Sequence, residues 1–433
     1  MTQNHRYMKK LIVLLAFAAL ASTVRAQVNP ELKALIQQSF SYFPKLKESD
    51  KLNEINTLRT GIAHNAYLPT ITGTASYNYI NPISKTTIPI GPNETRELMF
   101  QPNNNYNANL ALSQVIWDFG KIEAQVDKAK ADLQASQYTA DATRVQLAAQ
   151  VTSIYYGLIY LHRAIDVQDS VIAFYEKNKK IVEGRVRQGD ALQLDLQNTQ
   201  NSIEQERSRK VEFERQYQRQ LALLKYTTGN DGTRPSTEAF DFTASSTGSL
   251  EQSNPELLSA AQRVTSAEAD ARLAQKNMLP TLNFVANAGF KNGYQPDLNE
   301  FRFNYLAGVT LNVPVFQGRR LRQSTLLSQH NTELTRFTQD NLAASLTRDL
   351  ESSRADEQAY TQQAGYATAQ INMSTEALRL SRVRYEKGAS TFLDLDFAAT
   401  NLQKASLNKL FYEYQACLAR VEQARLLGTR FWE

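Results

Sequence analysis

The chain has 433 residues, 42% hydrophobic and 21% charged, which suits two or three domains or one very elongated one and excludes a disordered chain or a multi-span helical membrane protein. A single cysteine, Cys417, excludes an intramolecular disulfide and a cysteine-rich zinc site, and four scattered histidines argue against an imidazole metal centre. The formal charge of +5 misleads: removing the first 26 residues leaves 44 basic against 43 acidic residues, so no nucleic-acid partner is implied.

The first 26 residues read as a secretory signal peptide. Met8-Lys9-Lys10 is a basic n-region, Leu11 to Leu20 is an unbroken apolar run, and Val24-Arg25-Ala26 offers small residues before Gln27. The run is too short to span a bilayer. No cysteine follows it, so a lipoprotein anchor is not expected. The rest of the chain has no stretch of 18 apolar residues, so entry into a membrane would require a β-barrel.

The remainder reads as a duplication. YLPTITGTASYNY (67–79) matches MLPTLNFVANAGF (278–290), and RVRQGDALQLDLQ (185–197) matches RVRYEKGASTFLDLD (382–396). In the first half Pro44, Pro69, Gly120, Gly189 and Gly229 are spaced by 25, 51, 69 and 40 residues. In the second half Pro255, Pro280, Gly318, Gly388 and Gly428 are spaced by 25, 38, 70 and 40. The discordant interval falls between two strands, where a loop varies freely. The first repeat is assigned to 27–242, a Ser/Thr/Gly-rich linker to 243–254, and the second repeat to 255–433.

Each repeat opens with a proline suited to the first turn of a helix, Pro44 or Pro255. That helix ends before Pro69 or Pro280. A strand pair follows, within 70–118 and 281–316. Leu282, Phe284, Ala286, Ala288 and Phe290 alternate with mostly polar residues, and so do Phe303, Tyr305, Ala307, Val309 and Leu311. Ile71 to Tyr79 and Tyr106 to Leu112 alternate in the same way. Segments of this length, with one apolar face and one uncharged polar face, suit transmembrane β-strands. Residues 80–104 and 291–302 read as loops.

After Gly120 the apolar period changes to 3.5, as in Val126, Ala129, Leu133, Ala140, Leu147, Val151, Ile154 and Leu158. A coiled-coil helix of about 100 Å is predicted over 120–187, with a counterpart over 318–386. Gly189 and Gly388 reverse the chain, and return helices run over 190–228 and 389–428. The fold class is therefore mainly α with a small β part and an internal duplication. Four strands cannot close in a membrane, and bacterial barrels start at eight, so several chains must share one barrel. Two chains give eight strands and three give twelve. No nucleophile–base pair, metal-ligand spacing or phosphate loop is present, so neither an enzyme nor a cofactor is expected. A periplasmic coiled-coil adaptor is the alternative reading, but it would show one helical hairpin and no duplicated strand pair.

These motifs resemble the TolC family of bacterial outer-membrane efflux proteins. The resemblance covers nearly all of the chain beyond the leader. It rests on the duplicated Leu-Pro-Thr before a strand, the glycine tip followed by Leu-Asp-Leu, and the long-helix, short-helix order. It implies a homotrimer with a twelve-stranded barrel in outer-membrane lipid and a helical tube in the periplasm. The implied role is the passive exit duct of a tripartite efflux pump or a type I secretion system. The implied partners are a periplasmic adaptor and an inner-membrane transporter of RND, ABC or similar type. The family's adaptor-docking tips map onto Gly189 and Gly388, flanked by Arg187 and Arg384. Its periplasmic gate maps onto Asp195 and Tyr385, a pair expected to share a cross-helix hydrogen bond, and its aspartate ring onto Asp394. Ser390 stands where the family's latch has arginine, leaving Arg384 and Lys387 as replacements. Phe397 stands at the second ring position.

Overall fold

The structure, a computed structural model, describes residues 29–92, 94–230, 235–236, 239–243 and 250–433. The signal peptide and half of the linker, 244–249, lie outside them. The elements in chain order are α1 (Pro30–Tyr42), α2 (Pro44–Asn65), β1 (Thr70–Tyr79), β2 (Lys85–Gly91), β3 (Glu94–Met99), β4 (Asn104–Trp117), α3 (Lys121–Gln188), α4 (Gln193–Thr228), α5 (Leu250–Ser253), α6 (Pro255–Lys276), β5 (Thr281–Lys291), β6 (Arg302–Asn312), α7 (Arg320–Glu386) and α8 (Phe392–Leu426). The chain is mainly helical with a small β part. Its described residues divide into two compact units, one within Met1–Asp50, Tyr138–Leu258 and Asn341–Glu433, the other within Lys51–Gln137 and Ser259–Asp340.

In the first unit the core gathers where α1, α3, α4 and α8 meet the segment around Phe242. Leu32, Ile36, Tyr155, Tyr156, Leu224, Cys417 and Val421 are all buried there. The two tyrosine hydroxyls find acceptors: Tyr156 donates to Asp241 at 2.9 Å and Tyr155 to Glu31 at 3.1 Å. Burying an aromatic ring while its hydroxyl is hydrogen-bonded avoids the penalty of an orphaned polar group. Burial raises the Cys417 thiol to about 12, so it stays a neutral core residue.

Two helices, not one, precede β1. Phe43 is extended (φ −67°, ψ 120°) because the helical region is closed to a residue before proline, and Pro44 restarts the helix. Residues 80–104 are also more than a loop. They carry the antiparallel pair β2–β3, with a register shift between Pro89 and Gly91. Proline cannot donate to the ladder, so its place at an irregularity is expected.

In the second unit four strands form one antiparallel sheet in the order β1-β4-β5-β6. The two strand pairs of the duplicated sequence thus join through β4 and β5. Gly289 sits opposite Asn109 in that joint, and a Cβ there would collide with the Ala108 carbonyl oxygen.

Candidate functional site

The sheet register sorts its side chains into two faces, because residues two apart share a face. Ile71 faces Leu112, Ala75 faces Ala108 and Tyr77 faces Tyr106. Across the joint, Leu112 meets Ala286, Leu110 meets Ala288 and Ala108 meets Phe290. Then Ala286 meets Ala307, Ala288 meets Tyr305 and Phe290 meets Phe303. These pairs make one continuous apolar face, and it is turned to the outside: Tyr305 is 79% and Ile71 64% exposed. A bulge between Val115 and Trp117 lets Trp117 pair with Leu282 and so join that face. Val115 packs the other way, against Ala63, Ile122 and Val126.

Aromatic side chains flank the aliphatic middle of the face. Tyr77, Tyr106, Phe290, Phe303 and Tyr305 gather at the β-hairpin end, and exposed Trp117 and Phe119 lie at the helix end. An apolar band between aromatic girdles is the surface of a membrane β-barrel. The opposite face carries Thr72, Thr74, Asn107, Asn109, Asn283 and Asn287, all uncharged. Charge enters the strands of this sheet only at the loop ends, as Lys291 and Arg302. Among the described residues β1 and β6 each pair on one side only, so the sheet has two open edges. No described helix is long and apolar enough to cross a membrane.

The two helical tips in the first unit share one construction. Gly189 (φ 78°) ends α3 and Gly388 (φ 73°) ends α7, both in the left-handed region that glycine enters without strain. Asp190 N–H donates to the Arg185 carbonyl at 2.8 Å and Gly189 N–H to that of Val186 at 3.1 Å. Ala389 and Gly388 repeat this pattern on Arg384 and Tyr385. It is a Schellman closure, which satisfies the last carbonyls of each helix. Both glycines face open space: nothing approaches a Cβ at Gly189, and only the Arg185 guanidinium comes within 3.6 Å at Gly388. Arg187 and Arg384 are exposed beside them.

Asp195 and Asp394 occupy matching places at the starts of α4 and α8. Asp394 accepts from the Thr391 hydroxyl at 2.8 Å and its N–H at 3.0 Å, while its own N–H donates back to that hydroxyl. These bonds, with Arg384 nearby, hold its carboxyl below the usual range. Asp195 makes the weaker version, accepting from the Leu192 N–H at 3.3 Å. The expected Tyr385–Asp195 hydrogen bond is not formed. The Tyr385 hydroxyl is buried without a hydrogen-bond partner, and the Asp195 carboxylate is turned to its own helix start. Arg185 engages Tyr385 instead. It donates to the Tyr385 carbonyl at 2.9 Å and lies 5.0 Å from the ring centre. Burial raises the Tyr385 hydroxyl, against the opposing pull of Arg185.

The outer membrane efflux protein family model matches residues 54–230 and 247–429. The chain belongs to that family. Its outer-membrane relatives include OprJ of Pseudomonas aeruginosa, 24% identical over 75% of this chain and 70% of that protein. The toluene efflux pump outer membrane protein TtgC of Pseudomonas putida is 19% identical over 94% of this chain and 84% of its own length. The CmeC outer membrane channel of Campylobacter jejuni superposes with a TM-score of 0.78 at 17% identity, over 92% of this chain and 86% of that one. The protein is an outer-membrane exit duct for efflux, not a periplasmic adaptor.

Within this duct protein, the contacts that tie the two tips together join Asp396, the last residue of the second motif, to residues that the motifs do not mark. Tyr175 on α3 donates to Asp396 on α8 at 2.8 Å, and Ser202 on α4 reaches the same carboxylate at 3.4 Å. Burial and the bond to Asp396 raise the Tyr175 hydroxyl. Further along, Gln403 on α8 donates to Gln168 on α3 at 3.2 Å and to Glu206 on α4. Asp396 is the neighbour of Phe397, which is 69% exposed, so the two point apart on α8. The signal that finds Arg185 is its period: Tyr175, Asn178, Val182 and Arg185 follow at steps of three and four, one stripe of a coiled coil.

Proposed function

We propose that three copies of this chain assemble one duct, each giving four strands to a twelve-stranded barrel in the outer membrane, with the helices in the periplasm. The observation that carries this reading is the sheet with an exposed apolar face and two unpaired edges. An open edge in lipid leaves backbone groups without partners, each at a cost of several kcal/mol, and closure between chains removes every edge at once. The uncharged amide and hydroxyl face then lines the lumen and lets solutes leave without a fixed charge selecting them.

In this reading the tips at Gly189 and Gly388 seat a periplasmic adaptor, with Arg187 and Arg384 at the rim, and an inner-membrane transporter of RND, ABC or similar type supplies the energy. The open space at both glycines supports close approach by a partner. The gate is the set of contacts between the two tips. Arg185 on Tyr385 replaces the Asp195–Tyr385 bond, and Tyr175–Asp396–Ser202 reinforces it. Asp394 stays ionised at ordinary pH and puts three negative charges at the mouth of the trimer.

The test is fractionation and mass. The protein beginning near Gln27 should separate with the outer membrane and run as a trimer in mild detergent. A water-soluble monomer overturns the assignment.

A further inference from the structure

The apolar face of the sheet does not stop where β6 ends. Leu311, Val313 and Val315 keep the alternation past Asn312, the last residue of the ladder, and they are 61%, 51% and 90% exposed. Phe316 follows, 85% exposed. Next come Arg319, Arg320 and Arg322, all exposed. Arg320 donates to the Gln317 side-chain oxygen at 2.7 Å, and among the described residues none of the three guanidinium groups meets a carboxylate.

Their surroundings in the chain offer no acid. Residues 301–332 contain neither Asp nor Glu. Closure of the barrel brings β1 of the next copy beside β6, and residues 55–79, which lead into and form β1, contain none either. The charge is also out of place on its own helix. Arg319 stands at the cap of α7, its carbonyl accepting from the Gln323 N–H at 3.0 Å, and the first turn has no acidic residue. A guanidinium accepts no hydrogen bond, and a cation is unfavourable at the positive end of a helix. The matching place in the first repeat is neutralised from within. Asp118 accepts from the Gly120 N–H at 2.8 Å and the Ile122 N–H at 2.7 Å, Glu123 lies in the first turn, and Lys121 donates to the Leu279 carbonyl at 2.9 Å. The second repeat thus carries three cations that the protein leaves unmet, beside a surface suited to acyl chains.

We propose that Arg319, Arg320 and Arg322 bind the phosphate of an anionic phospholipid in the periplasmic leaflet, while Val315 and Phe316 pack against its acyl chains. The reach fits: Arg319 lies at most about 11 Å of chain beyond Phe316, and a headgroup layer is roughly 5–8 Å deep. A long apolar stem can follow the lipid surface while the planar guanidinium pairs two phosphate oxygens. The proposal deepens the exit-duct reading, on which it rests for the placing of the sheet in lipid.

The probe is dioleoylphosphatidylglycerol, added to the detergent-released protein and counted by native mass spectrometry. Dioleoylphosphatidylcholine, with the same chains and no net charge, is the control. One phosphatidylglycerol per chain is expected, bound at least about tenfold more tightly than phosphatidylcholine. Arg320→Gln should weaken it about fivefold, and Arg319→Gln, Arg320→Gln and Arg322→Gln together about a hundredfold, since each basic side chain at an anionic surface contributes about a factor of five. Arg354→Gln, also exposed and 34 residues beyond Arg320, should change nothing. The same spectrum reports the number of chains, so a monomer that still holds the lipid through these arginines contradicts the duct reading and not this site. Equal affinity for the two lipids, a triple variant that binds like wild type, or displacement of the lipid by an equal concentration of glycerol 3-phosphate overturns the proposal.

Discussion

The sheet and the helical tips solve opposite problems. The sheet turns Ile71, Leu110 and Tyr305 outward and keeps amides and hydroxyls on its other face. The helical region of the tips exposes most of its charges and buries polar groups, with Tyr175, Gln168, Gln403, Tyr385 and the carboxylate of Glu206 inside. An apolar exterior is stable only in lipid, where each backbone group must be paired within the barrel. A polar interior is stable only while each buried group keeps its partner, and here several do not: Gln168 Nε2, Gln403 Oε1 and the Tyr385 hydroxyl have none. In the proposed duct the sheet would stay closed once assembled, and the tips would come apart.

The largest expected effect breaks the sheet half of that contrast. Ala288→Arg places a charge on the apolar face, at a cost of about 2–4 kcal/mol near the bilayer midplane in every copy. It should abolish outer-membrane assembly, measured by fractionation and heat-modifiable mobility. Asn287→Arg, one residue away on the other face, should assemble and change only conductance. Equal loss in both would mean that the faces are not divided by lipid.

The second breaks the tip half. Tyr175→Phe removes a hydrogen bond to a carboxylate worth about 1.5–3 kcal/mol, repeated in each chain. It should raise single-channel conductance in planar bilayers, and Arg185→Ala should do the same. Asp195→Ala should do less, since Asp195 holds only the start of its own helix. Wild-type conductance in Tyr175→Phe would place the gate elsewhere.

A smaller effect separates turn from docking. Gly189→Arg meets open space, so the folded tip loses roughly 1–2 kcal/mol to the left-handed backbone, and Gly388→Arg adds only the repulsion of the Arg185 guanidinium. Trimers should persist while efflux in cells fails. Loss of trimers would show that the glycines serve the turn alone.

The smallest effect concerns pH. The Asp394 carboxyl is depressed in the folded protein, so the cap it makes is present above the ordinary carboxyl value of 3.8 and is lost as pH falls through its lower folded value. Thr391→Ala should move the midpoint for loss of cation selectivity upward toward 3.8. Asp394→Ala should remove that titration and weaken block by trivalent cations.

Much of the fold class is legible because both of its parts are periodic. A barrel strand must alternate, so Phe303, Tyr305, Ala307, Val309 and Leu311 announce a two-faced element. The β2–β3 pair is hidden because Pro89 and the surrounding turn residues look like a loop, and α1 is hidden because Phe43-Pro44 reads as a beginning and not as a break. The pairing of β4 with β5 joins segments that are remote in sequence, and no local pattern encodes its register. The proposed gate is the least legible part. Gln168, Glu206 and Gln403 are residue types that ordinarily face water, so their burial, beside a half-buried Asp396, follows from how three helices meet. Arg185 opens the repeated Arg-Val-Arg motif and is singled out from Arg187 only by its seven-residue stripe.

The central claim is that this open four-stranded sheet is one third of a closed barrel. The most direct measurement is the mass of the complex extracted from the outer membrane, by native mass spectrometry after detergent release. The account predicts three copies of the chain and no smaller species until the sheet unfolds. A stable monomer, or an assembly of two chains, would contradict it.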